Sequence, residues 1–391
     1  GDLDAFRREV RSALGSRLAP RRPDASATVL GAGSEDLEAG RAFLRALADG
    51  GWAVPTWPRV DGGMDASPGE AAIVQQELAR FDVPDLYPYL VGLALVGPTV
   101  VSYGTPDQRA RYLPPIRTGD EIWCQLFSEP GAGSDLANLA TRATLDGDTW
   151  TVTGAKVWTS RGRYAHRGLL LARSDATLPK HDGITAFGID MHAAGVDVRP
   201  LRQMNGDAHF TEVFLDDVQV DDRDRIGGVG DGWRVALTTL AHERGAVGSP
   251  GGSFLDADRL VALVQTRGGV RDPVLRDALV RVLVELRVVS FTARRARDSA
   301  RAGRPGPEGS GLKLRAATAF KVYADVAMRI LGADAMCDPT GEWQTLFLTA
   351  PSLSIRGGTD EIQRNIVGER VLGLPAEPRV DRGIPFRALP H

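Results

Sequence analysis

The stretch CQLFSEPGAGSD at 124–135 marks a change in the character of the chain and raises a chemical question. It follows an apolar run, and two glycines and an alanine separate the hydroxyl groups of Ser128 and Ser134. Small residues let backbone N–H groups come close to a flat or anionic ligand. An ordinary turn after a strand would use similar residues, so the loop alone leaves both interpretations open.

The spacing of the apolar residues changes on either side of this loop. Helical spacing dominates at the start of the chain and returns near its last third. Between these parts, short β-branched or alternating runs are separated by turns, which is typical of an antiparallel sandwich or barrel. The sequence predicts an α+β multidomain protein with a helical domain at 1–120, a β domain at 121–225 and a helical domain at 226–391.

One predicted helix has clear end signals. The stretch SYGTPDQRARYLPPI (102–116) indicates a helix that opens at Thr105-Pro106. Because prolines lack the N–H that a helix needs, we expect this helix to end at Pro114-Pro115.

Composition limits the compartment and the partners. The chain has 391 residues with a net charge of −3, which argues against nucleic acid or an anionic membrane surface as the main partner. Two distant cysteines, Cys124 and Cys337, suit a reducing cytoplasm, and the six histidines show no zinc-binding spacing. No apolar run predicts a membrane span. The charged, amphipathic start of the chain is unlike a secretion signal.

Four separated motifs resemble those of one known family and occur in the same order. They are GTPDQRARYLP (104–114), SEPGAGSD (128–135), GAKVWTS (154–160) and GGTDEIQRNIVGERVLGLP (357–375). Together they resemble the acyl-CoA dehydrogenase family over nearly the whole chain. The resemblance implies an N-terminal α-helical domain, a middle antiparallel β-barrel and a C-terminal four-helix bundle. It also implies FAD between the β domain and the bundle, with part of its site completed by a neighbouring subunit.

The resemblance implies which residues contact FAD. They line the pyrimidine edge of the flavin, the ring and its N5 atom, and the start of the C-terminal helix. The matching residues are Gln125, Phe127, Ser128, Trp158, Thr159, Ser160, Thr359 and Glu361. An indole can form a flat wall against the ring, and a helix N-terminus offers N–H groups to cofactor oxygens. The residues alone leave a tryptophan in the sheet core open as the alternative for Trp158. Thr359 also suits a helix N-cap, a role that is compatible with a contact to FAD.

The base is expected on the first helix after the β domain. Dehydrogenation of an acyl thioester removes the α-hydrogen as a proton, so a carboxylate must lie over the α-carbon in a dry pocket. Many family members carry this glutamate where Gly357 stands here. In a branch that resembles isovaleryl-CoA dehydrogenase, the base matches Glu243 in WRVALTTLAHERGAV (233–247). A core ion pair is the alternative for Glu243. The resemblance implies substrate contacts by Ser134, Arg244 and Arg356.

The chain departs from the family pattern in its C-terminal part. The elements that reach the adenosine half of FAD in a partner subunit are not evident, and LGADAMCDPTGEW (331–343) stands where one should lie. This resembles an actinobacterial-type subgroup in which two different subunits share a site. We therefore expect a homodimer, homotetramer or heterotetramer.

The expected function is FAD-dependent α,β-dehydrogenation of an acyl thioester, carried on coenzyme A or on a carrier protein. Hydride passes to flavin N5, and an acceptor such as an electron-transfer flavoprotein takes the electrons. Two alternatives stay open: a flavin monooxygenase or oxidase on the same fold, and a non-catalytic subunit of a heteromeric dehydrogenase.

Overall fold

A computed structural model gives the fold of the chain. It describes residues 3–21, 36–246, 255–301, 308–337 and 341–389, while the side chains of 243–246, 297, 300, 301 and 308 lie outside the description. Helices form the first and last thirds of these residues, and a sheet lies between them, as the change of spacing predicts. None of the described helices combines the length and the apolar character needed to cross a membrane.

The first third is helical. Its described helices are α1 (Leu3–Gly15), α2 (Leu37–Ala48), α3 (Pro68–Leu78), α4 (Tyr87–Leu90), α5 (Gly97–Tyr103) and α6 (Pro106–Thr118), with a π-helical turn at Val91–Val96 between α4 and α5. Capping boxes start two of them. The hydroxyls of Ser67 and Thr105 accept a backbone N–H three residues on, and Glu70 and Gln108 bond back to the cap N–H.

The prediction that α6 ends at Pro114-Pro115 is wrong. Both prolines lie inside the helix, which continues to Thr118 and is ended by Gly119 at φ +75°. The prolines leave backbone carbonyls without their helical donors. However, Leu113 and Ile116 in the same turn are each only 1% exposed. Burial of apolar side chains therefore offsets the missing hydrogen bonds.

The middle third forms a mixed eight-stranded sheet. Its strands are β1 (Trp123–Leu126), β2 (Arg142–Asp146), β3 (Thr149–Ser160), β4 (Arg167–Arg173), β5 (Ile184–Asp190), β6 (Val196–Leu201), β7 (Phe210–Asp221) and β8 (Arg225–Ile226). The pairing path runs β6-β7-β3-β2-β4-β5-β8, and β1 pairs with β4 beside this path. The pairs are antiparallel except that β1 and β2 each lie parallel to β4, which the alternating pattern does not predict.

The last third is helical again. Its described helices are α7 (Gly232–Ala246), α8 (Ala257–Thr266), α9 (Pro273–Arg301), α10 (Glu308–Leu331), α11 (Glu342–Thr349) and α12 (Asp360–Arg370). Helix α10 is central, since it contacts α8, α9, α11 and α12. Buried Leu286, Phe320 and Tyr323 belong to the core that these helices share.

Helix α7 packs differently from the other C-terminal helices. It contacts α5, the π-helical turn and β5. Trp123 and Ile184 of the sheet, Val100 of α5 and Ala236 of α7 are buried in one cluster. This cluster fixes α7 against both the sheet and the first helical part of the chain.

Candidate active site

Strand β3 is interrupted by a bulge near its end, between Lys156 and Thr159. Trp158 lies inside the bulge at φ +61°, a backbone conformation that residues other than glycine rarely adopt. The bulge turns the indole outward. Trp158 is 60% exposed, and its ring meets the edge of Phe210 with 5.9 Å between the centroids. The alternative of a tryptophan buried in the sheet core is therefore wrong.

The Gly-rich loop lies directly beside this bulge. The N–H of Val157 donates to the carbonyl of Ser128 (2.9 Å), so the loop and the end of β3 run side by side. A Cβ atom built on Gly131 or Gly133 would meet no atom within 4 Å, so the loop borders open space. Two segments that are separate in sequence thus form one site. Phe127 in this loop is buried, and Gln125 in β1 is half-buried.

A buried ion pair fixes the loop to β3. The Lys156 ammonium donates to Glu129 Oε1 (2.7 Å) and to the Phe127 carbonyl (3.1 Å). Glu129 also accepts the N–H groups of Ala140 (2.7 Å) and Thr141 (3.0 Å). Burial lowers the pKa of Lys156 to about 8, with Glu129 opposing the shift. Burial acts to raise the pKa of Glu129, but Lys156 and the hydrogen bonds outweigh it and hold this pKa below its usual value.

The residues at the end of β3 retain unused hydrogen-bonding capacity. Thr159 is 1% exposed, and its Oγ1 has no hydrogen-bond partner among the described residues. Buried hydroxyl groups normally have such a partner. Ser160 beside it is half-buried. The outward indole, the open space at the loop and this hydroxyl fit a flat heterocycle with a hydrogen-bonding edge, such as the isoalloxazine ring of FAD.

The start of α12 has a defined structural role. Thr359 is its N-cap, and the hydroxyl accepts a backbone N–H of the first turn (3.3 Å). Lys313 of α10 donates to the Gly358 carbonyl (2.7 Å) and so ties this turn to the helical core. Glu361 is exposed and pairs with Arg364 (3.3 Å). The N-cap interpretation is confirmed, while contacts of Thr359 and Glu361 with FAD stay predictions.

The predicted base lies in the last turn of α7. The backbone of Glu243 and Arg244 is helical, but their side chains lie outside the described residues. Thr239, one turn earlier, hydrogen-bonds through its hydroxyl to that of Thr99 in α5 (2.9 Å). Position 243 is on the same helix face as position 239. Ser134, the predicted substrate contact in the Gly-rich loop, is exposed.

A cluster of buried and half-buried cationic and aromatic side chains lies next to the end of β3. Arg161 is 4% exposed, its guanidinium lies 5.0 Å from the centroid of the Tyr87 ring, and Nη2 lies 3.9 Å from Asp85 Oδ2. His209 is also 4% exposed and meets Tyr87 edge to face. Burial, together with the charges of Arg161 and Arg356, lowers the pKa of His209 to about 4. We call Tyr87, Arg161, His209 and Arg356 the cationic pocket.

Several of these residues are not predicted from the sequence. Lys156 and Glu129 stand inside the quoted motifs, so an excess of charge in otherwise apolar segments could have indicated a buried pair. Tyr87, Arg161 and His209 come from three separate segments. No local pattern indicates that they meet.

Comparison with known proteins identifies the family. Models of acyl-CoA dehydrogenases match the chain in three successive parts: the N-terminal domain at 2–120, the middle domain at 124–218 and the C-terminal domain at 230–372. The chain therefore belongs to the acyl-CoA dehydrogenase family, FAD-dependent oxidoreductases that act on CH–CH bonds. The expected fold class and enzyme class are confirmed.

Particular relatives are similar over most of this chain. Acyl-CoA dehydrogenase IpdE1 from Mycobacterium tuberculosis is 39% identical over 389 residues, covering 97% of this chain and 99% of that protein. Acyl-CoA dehydrogenase FadE34 from the same organism is 40% identical over 334 residues, covering 84% of this chain and 46% of that protein. The crystal structure of the ChsE4-ChsE5 complex from M. tuberculosis has a TM-score of 0.76 and 30% identity, covering 96% of this chain and 98% of that chain.

Proposed function

We propose that this enzyme catalyses the α,β-dehydrogenation of an acyl thioester with Glu243 as the base and FAD as the cofactor. The observation that carries the proposal is the hydrogen bond from Val157 to the carbonyl of Ser128. It joins the Gly-rich loop and the outward-facing Trp158 in one site beside open space. Such a site suits a flat ring whose edge needs backbone and hydroxyl partners.

The residues at this site would hold the cofactor along its ring. The backbone near Gln125 and Phe127 and the hydroxyl of Ser128 would bond the pyrimidine edge. The proposed contacts with the rest of the ring and with the remainder of FAD are Trp158, Thr159, Ser160, Thr359 and Glu361. When bound, FAD accepts the β-hydrogen of the acyl group as hydride. The ion pair of Lys156 and Glu129 keeps the loop in register with β3.

We infer that the Glu243 carboxylate takes the α-proton as the carbon–carbon double bond forms. Support comes from the helix that carries it. Ala236 is fully buried and Leu240 packs against the same core cluster, and position 243 continues their face of α7. In general, a carboxylate that acts as a base benefits from a site with little water, because desolvation raises its pKa towards the working pH. Ser134, Arg244 and Arg356 are proposed to line the acyl thioester.

Replacement of Glu243 by glutamine tests the base. A general base contributes about 10²- to 10⁴-fold to a rate, so flavin reduction by substrate should slow at least about 100-fold in Glu243→Gln while the protein stays yellow. The measurement is flavin absorbance after anaerobic mixing with a panel of acyl thioesters. Glu9→Gln, on the exposed side of α1, is the matched control and should react like the unmodified enzyme. Unchanged reduction in Glu243→Gln would show that another group is the base.

The partners of the enzyme are also proposals. The thioester is carried on coenzyme A or a carrier protein, and an acceptor such as an electron-transfer flavoprotein reoxidises the enzyme.

Three apolar side chains are exposed at helical spacing on α9 and form a stripe suited to burial against another chain: Val280, Val284 and Phe291. We propose a homodimer, homotetramer or heterotetramer. Light scattering of the purified chain, with and without co-expressed relatives, measures the assembly. The domain division at 1–120, 121–225 and 226–391 likewise stays a proposal.

A further inference from the structure

The cationic pocket contains hydrogen-bond donors that lack acceptors among the described residues. Nε and Nη2 of Arg161 are buried without a partner, and so is Nε2 of His209. The amide nitrogen of Gln203 lies 2.8 Å from His209 Nδ1. An amide nitrogen only donates, so Nδ1 is the acceptor and Nε2 carries the hydrogen. Three buried donors without acceptors are unfavourable in a folded protein, and they indicate a binding partner with acceptor atoms.

The neighbouring carboxylates among the described residues do not satisfy these donors. Asp85 Oδ2 lies 3.9 Å from Arg161 Nη2, beyond hydrogen-bond distance, and is itself buried without a partner. Asp207 Oδ2 lies 3.9 Å from His209 Nδ1, and burial raises the pKa of Asp207. Arg356 adds a second guanidinium, whose pKa burial lowers. A desolvated positive charge of this kind is stabilised by an anion.

The pocket borders the elements that carry the proposed chemistry. Arg161 directly follows Ser160 at the end of β3. Tyr87 begins α4, which continues through the π-helical turn into α5, and α5 contacts α7 through Thr99 and Thr239. The pocket therefore adjoins the end of β3 that carries the proposed flavin contacts, and the element that contains Tyr87 leads to the helix packed against α7.

We propose that the cationic pocket binds a carboxylate at the far end of the acyl group, so that the preferred substrate is a dicarboxylic acyl thioester. This inference rests on the proposed function. The Nε–H and Nη2–H groups of one guanidinium form a parallel pair that matches the two oxygens of a carboxylate. The Nε2–H of His209 supplies a third donor. A phosphate group is the other anion with suitable oxygens, and the experiment separates the two.

Matched thioesters test this specificity. The holoenzyme is reduced anaerobically with pairs of equal chain length, such as adipoyl-CoA and hexanoyl-CoA, over short, medium and long chains. A charge-assisted pair predicts a preference of about 10- to 100-fold for the carboxylated member in at least one pair. Arg161→Met should lower this ratio about tenfold or more. Arg199→Met, an exposed arginine of β6, should leave it unchanged. Equal reactivity within every pair, or an unchanged ratio in Arg161→Met, would overturn the proposal.

Failure of the proposed function gives a different result, because then no thioester bleaches the flavin. Calorimetry with free adipate and with inorganic phosphate measures the pocket independently. Adipate binding that is lost in Arg161→Met and tightened in Asp85→Asn supports the proposal. Phosphate binding tighter than adipate binding overturns the assignment to a carboxylate. Arg356→Gln is the second variant, for use if Arg161→Met does not fold, because Arg356 lies outside the sheet. It should lower the same ratio of carboxylated to plain thioester, and an unchanged ratio in this variant would also overturn the proposal.

Discussion

Replacing Lys156 by methionine should loosen the Gly-rich loop from β3. Methionine keeps most of the aliphatic volume but removes the ammonium that donates to Glu129 (2.7 Å) and to the Phe127 carbonyl (3.1 Å). Glu129 then keeps its two backbone donors but remains a buried carboxylate without a counter-charge. Removing one partner of a buried ion pair destabilises a protein by about 3–5 kcal/mol.

The lower end of this range is expected. Burial lowers the pKa of Lys156 to about 8, from the reference value of 10.5, although Glu129 opposes this shift. The cost of burying the ammonium therefore offsets part of its attraction to Glu129. We therefore expect Lys156→Met to lose about 3 kcal/mol of unfolding free energy. Because the loop carries Ser128, FAD affinity should also fall, by about tenfold or more.

A double-mutant cycle measures this coupling. Urea denaturation and FAD titration are compared for Lys156→Met, Glu129→Gln and the double variant. If the two side chains act as a unit, the double variant should be less destabilised than the sum of the single variants by about 2 kcal/mol. Additive effects within about 0.5 kcal/mol, or a Lys156→Met protein that binds FAD as tightly as the parent, would refute the reasoning.

Two further predictions concern α12 and the cationic pocket. Thr359→Ala removes the N-cap acceptor and should lower the unfolding free energy, measured by urea denaturation, by about 1 kcal/mol. Thr359→Ser keeps a hydroxyl acceptor and should keep most of this stability. Equal stability of the alanine variant and the parent would contradict the capping role. His209 has a pKa of about 4, below the reference value of 6.5, so the unfolded chain binds more protons between these values and stability falls as pH falls through this window. The full effect is about 3 kcal/mol, of which about 2 kcal/mol is lost between pH 7 and pH 5. His209→Gln should lack this loss when unfolding is measured at these two pH values, and identical pH dependence in both proteins would contradict the assignment. Among the described residues, the charged and titratable side chains that face His209 are Tyr87, Arg161, Arg163, Asp207 and Arg356.

The order of helical and β segments could be predicted because burial imposes a different spacing on each. The long strands β3 and β7 alternate clearly, with Val152 and Val213 fully buried. Strand β2 carries little signal in the sequence, since only Ala143 of its five residues is buried and its ends are charged. The prolines of α6 misled the prediction because tertiary burial outweighs local hydrogen-bond loss there.

The site could be predicted only in part. The motifs identify Ser128 and Trp158, and the structure brings their segments together. The outward direction of the Trp158 indole depends on a bulge in β3 that the residue types around it do not predict. The cationic pocket depends on four chain segments meeting, and the unsatisfied donor groups of Arg161 and His209 can be identified only in the folded protein.

The turn before α12 explains why the base is proposed on α7. Gly357 and Gly358 have φ values of +65° and +83°, where an L side chain is strained by about 1–2 kcal/mol. The Gln363 amide donates to the Gly357 carbonyl (3.1 Å), and a Cβ on Gly358 would lie 2.6 Å from that amide nitrogen. A glutamate at 357 would therefore strain this turn. If Glu243 supplies the carboxylate, as proposed, position 357 needs no acidic side chain, and the two glycines can form the turn that carries Arg356 of the cationic pocket.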